Sequence, residues 1–118
     1  MFFVPRKPPI GESNRARRDC HVKQNCGCTV GKEMGVNTWA AFAGSPTSAV
    51  VDGDFAMLES ELQGVLKALR GAGIDIVAIH QHMTGEEPRI MFLHFWGIGG
   101  AEDLARGLRA ALDQTHTR

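Results

Sequence analysis

The chain has 118 residues, enough for one domain with a single modest core. Thirteen Lys/Arg balance thirteen Asp/Glu, so no whole-chain charge draws it to nucleic acid or to a membrane surface. No apolar run reaches the ~18 residues of a membrane span, and Met1–Pro5 is too short and too quickly broken by proline for an export signal. A cytoplasmic location is the default expectation.

The balanced charge hides an asymmetry. Residues 1–33 carry seven Lys/Arg against three Asp/Glu, and residues 34–118 carry six against ten. Residues 1–33 read as an irregular basic leader, and residues 34–118 as a single α+β domain. All three cysteines, Cys20, Cys26 and Cys28, lie in the leader. Three thiols cannot all pair within one molecule, so a reduced state is the simpler expectation. Cys20-His21 with Cys26 and Cys28 lacks the spacing of a standard zinc knuckle.

Periodic structure begins near Met34. Val36–Ala43 suits a strand that Gly44-Ser45-Pro46 breaks, and Ala49–Met57 suits a second strand, paired with the first as a hairpin. Asp52-Gly53-Asp54 inside it reads as a bulge or a satisfied turn rather than a cation site. Leu58–Arg70 has the helical period, with Leu58, Leu62, Val65, Leu66 and Leu69 on one face and Gly71 and Gly73 as the stop. Ile74–Met83 is a third strand, Thr84–Pro88 a turn, and Arg89–Trp96 a fourth strand ended by Gly97, Gly99 and Gly100. Ala101 to about Leu112 is a second helix with Leu104, Leu108, Ala111 and Leu112 inward. The glycines before it form a strand-to-helix turn, since Glu102 and Asp103 would repel a phosphate.

The order β-β-α-β-β-α predicts a four-stranded, mainly antiparallel sheet, in the order 1-2-4-3, with both helices on one face. This is a permuted ferredoxin-like arrangement. The fourth strand is apolar on both faces, so Ile90, Phe92 and Trp96 are expected to meet a partner, as in a homodimer or against a sister domain. Trp39 and Trp96 read as core or interface, and without a basic face beside them nucleic-acid binding is not expected.

The chemistry concentrates in the second hairpin. His80 and His82 are two apart on a strand and face the same way, and His94 lies on the returning strand. A turn centred near Glu87 sets His80 opposite His94. A shift of two keeps all three on one face, whereas a shift of one separates them. Three imidazoles so placed suit Zn²⁺, Cu²⁺, Fe²⁺ or Ni²⁺. Glu86 and Glu87 at the turn are candidates for a fourth ligand or a general base, and Asp54 is a more distant one. The alternative is a non-catalytic ligand- or partner-binding module that uses the apolar sheet face.

GVNTWAAFAG, VVDGDFAMLESEL, VLKALRGAGIDIVAIHQHMTGEEPRIMFLHFWG and DLARGLRAAL together resemble the LppY/LpqO family of bacterial proteins. The resemblance covers about Gly31 to Leu112 and leaves the leader out. It implies one copy, the second, of a unit that family members usually carry twice, with a sister copy against the sheet face. It implies export or lipid anchoring in several relatives and no defined reaction. The family's His-x-His and later His match His80, His82 and His94.

Overall fold

The computed structural model describes residues 22–23, 28–31 and 35–115. Two short strands, β1 (Val22–Lys23) and β2 (Thr29–Val30), pair antiparallel, so part of the expected irregular leader is ordered as a ladder. Cys28 is disulfide-bonded, which corrects the expectation of reduced thiols. Cys20, His21 and Cys26 lie outside the described residues.

The main sheet holds β3 (Trp39–Gly44), β4 (Ala49–Leu58), β5 (Asp75–His80) and β6 (Ile90–Gly99). Its order is β3-β4-β6-β5, every neighbour antiparallel, which is the expected 1-2-4-3 arrangement. Helices α1 (Leu62–Gly71) and α2 (Ala101–Leu112) supply the other layer. Between the layers, Val51, Phe55, Val65, Leu69, Leu93, Phe95, Leu104 and Leu108 form the main core. The fold is therefore α+β, as the element order implies.

Several boundaries differ from the sequence expectation, each for a visible reason. The first ladder starts at Trp39 rather than Val36, because the Thr38 side chain stands in for the backbone: its Oγ1 accepts from the Ala56 N–H at 3.0 Å. Leu58 ends β4 instead of opening the helix. A 3₁₀ turn, Glu59–Glu61, intervenes, and the Glu61 carboxylate accepts from the Leu58 N–H at 2.9 Å. The fourth strand does not stop at Trp96. It runs on through Gly97, paired with Val51, to Gly99, and the glycine leaves room for α2: a Cβ at Gly97 would stand 3.0 Å from Leu104 Cδ2.

The sheet face away from the helices is less bare than expected. Ile90 and Phe92 are buried, in a second cluster with Val36 and Ala56 that Leu58 and Met83 extend. The chain's own segments before β3 and after β5 cover that end, so these two residues do not require a partner. Ile98 remains exposed on that face, and Val77 and Ile79 are exposed on β5.

Candidate functional site

Strand alternation places the β4 and β6 part of the site on this open face. Asp52 and Asp54 are two apart on β4 and point together away from the core. Gly53 between them faces inward, and only glycine fits. A Cβ there would sit 2.3 Å from the Trp39 carbonyl oxygen and 2.5 Å from Phe95 Cζ. The D-G-D run is thus regular strand, not the bulge or turn that its composition suggests. On β6, Phe92, His94 and Trp96 share the same outward face, with Asp54 directly opposite His94 and Asp52 opposite Trp96.

His80 reaches this face through an irregularity. Along β5, Ile76 pairs with Phe95 and faces the helices, and strict alternation would send His80 the same way. The register shifts between Ile76 and Ala78, so Ala78 opposes His94 and His80 opposes Phe92. One extra residue in a strand re-aims every side chain beyond it. The expected facing of His80 with His94 is therefore displaced by two residues, and the common face is kept.

His82 lies just past the end of β5. Its ring stacks on Phe92 with centroids 3.4 Å apart and planes 2° apart, and on His80 at 5.2 Å. The turn at Gly35 lies against the other side: a Cβ there would be 3.5 Å from the His82 ring. His82 is exposed overall, yet burial of its stacked side, followed by repulsion from His80, pushes its pKa below the ordinary histidine value.

His94 is held between two carboxylates. Its Nε2 lies 2.8 Å from Asp52 Oδ1, a short hydrogen bond, and its Nδ1 lies 3.5 Å from Asp54 Oδ1. The Trp39 ring meets His94 edge-on at 6.3 Å. Asp54 is the more enclosed aspartate, with 14% of its side chain exposed. Its Oδ1 is buried and has no hydrogen-bond partner. Burial pushes the Asp54 carboxyl above its ordinary range, while His94, then His80 and His82, pull it back.

The turn carboxylates separate. Glu86 Oε2 accepts from the Ile90 N–H at 2.9 Å, and its charge acts on His82. Glu87 is exposed on the turn. Among the described residues, no group of three or more His, Cys, Asp or Glu is placed so that it could hold a metal ion. The structure brings His80 and His82 together as a stack, and His94 together with Asp52 and Asp54. Asp52 is the residue that sequence reasoning missed. Its signal was the period of two across Asp52-Gly53-Asp54.

A family model described as "Domain of Unknown Function (DUF1259)" matches residues 7–114. The chain belongs to this family. The match begins at residue 7, so the DUF1259 unit takes in most of the basic segment that the sequence resemblance left out. No curated protein and no solved structure matches the chain. No helix among the described residues of this DUF1259 protein is long and apolar enough to cross a membrane.

Proposed function

We propose that this DUF1259 domain binds one divalent transition-metal ion on the open sheet face, with His94 Nδ1 and Asp54 Oδ1 as the pre-positioned ligand pair. The spacing of those two atoms carries the proposal. At 3.5 Å they are too far apart for a good hydrogen bond. Two ligands bound ~2.1 Å from a tetrahedral metal stand about 3.4 Å from each other. The buried, unpartnered Asp54 oxygen is the group that gains most from a cation.

Asp52 fits the supporting role. A metal-bound histidine commonly gives its second ring N–H to a carboxylate, which fixes the ring and strengthens the ligand. His80 and His82, on the same face and exposed, would complete the set by rotation of their rings. Imidazole with carboxylate suits Zn²⁺, Cu²⁺, Fe²⁺ or Ni²⁺. A metal there would supply a Lewis acid or a redox centre, and the resemblance to LppY/LpqO proteins assigns no reaction to it.

Elemental analysis tests this on the full chain, purified without chelators and dialysed in turn against each of the four metals. The expected result is close to one equivalent of at least one of them. Less than about a tenth of an equivalent of all four, with no uptake on titration, would overturn it.

A further inference from the structure

The second feature that the fold leaves unexplained lies in the loop joining β5 to β6. A cleft of about 180 Å³ opens there, lined by Gln81, Met83, Thr84, Gly85, Glu86 and Arg89. Its size suits a small ligand. At ~30 Å³ per water it holds about six waters, the bulk of a ligand with six to eight heavy atoms. Drug-sized ligands need a larger pocket.

The lining is bipolar. Glu86 uses Oε2 to accept from the Ile90 backbone, which fixes the carboxylate in place. Its other oxygen, Oε1, is buried and has no partner. Arg89 brings a guanidinium to the same cleft, steadied by a 3.0 Å bond from Nη2 to Gln81 Oε1. Thr84 adds a hydroxyl and Met83 an apolar wall. A fixed carboxylate with one unpartnered oxygen recognises a charged N–H donor, and a guanidinium recognises a carboxylate. We infer that this cleft binds a small zwitterion of the α-amino-acid type, with its ammonium on Glu86 and its carboxylate on Arg89. The inference does not depend on the metal site, since none of these contacts uses His80, His94 or Asp54.

Titration of ¹⁵N-labelled full chain with L-alanine, followed by amide chemical shifts at low salt, tests it. The expected result is saturable shifts confined to residues 81–90, with a dissociation constant below about 10 mM. Methylammonium and acetate, each supplying half of the ligand, should bind at least tenfold more weakly. Glu86→Gln keeps an acceptor for the Ile90 N–H but loses the charge, and should weaken L-alanine binding at least tenfold. Arg89→Gln, at an exposed position, should weaken L-alanine to a similar degree and abolish acetate binding. Absence of saturable shifts up to about 50 mM, unchanged affinity in both variants, or shifts centred on His80 and His94 would each overturn the inference. The metal proposal is untouched by any of these results.

Discussion

Asp54 and His94 face each other across β4 and β6, and their nearest polar atoms stop 3.5 Å apart. The pairing is fixed by the ladder, not by attraction between the side chains. The gap therefore persists even though Asp54 Oδ1 is buried without a partner. A fold that keeps a carboxylate oxygen and an imidazole nitrogen in this relation accepts a desolvation cost that a bound cation would offset.

That cost has a sign that can be checked in metal-free protein. The Asp54 pKa in the native state is raised, mainly by burial, above the ordinary 3.8. The native state then holds its proton more tightly than the unfolded chain. Stability must fall as pH rises from the ordinary value through the raised one, and stay lower above it. Asp54→Asn removes this dependence. Urea unfolding with chelator present should show the variant more stable than the parent near pH 7, by about 1 kcal/mol, with the difference closing toward pH 3.5.

In the proposed site, Asp52 would act on the metal only through His94. Asp52→Asn should lower metal affinity by about 10–100-fold while leaving the bound stoichiometry at one. Metal competition against a coloured chelator reads the affinity. Thermal unfolding of the metal-free variant separates this from a general loss of structure, because Asp52 is partly exposed and its removal should move the metal-free midpoint little.

Gly53 holds the site together from below. Its absent side chain is what lets Phe95 Cζ and the Trp39 carbonyl approach β4 so closely. Gly53→Ala should destabilise the fold by about 2–3 kcal/mol, since backbone and a buried ring must both move. Denaturant unfolding at pH 7 provides the measurement.

Much of this architecture was legible in the residues. The apolar periods of α1 and α2 and the glycine–proline breaks were enough for the β3-β4-β6-β5 order, because hairpins and one crossover leave few alternatives. The histidines' common face was legible too, though not how it arises. Composition does not announce the extra residue between Ile76 and Ala78, since a bulge is a choice of pairing rather than of residue type. Asp52 was hidden for a related reason. Asp-Gly-Asp has the composition of a turn, and only the close approach of Phe95 shows why a glycine belongs mid-strand there. The cover over Ile90 and Phe92 comes from Val36 and Met83, outside any ladder, where strand patterning carries no information.

The most direct test of the paired ligands is a calorimetric titration of metal-free full chain with Zn²⁺ at pH 7, run beside His94→Ala and Asp54→Asn. One equivalent bound by the parent, with affinity falling at least a hundredfold in each variant, is the predicted result. Zn²⁺ binding of equal strength in all three chains, or no binding of any of the four metals by a folded parent, would contradict it.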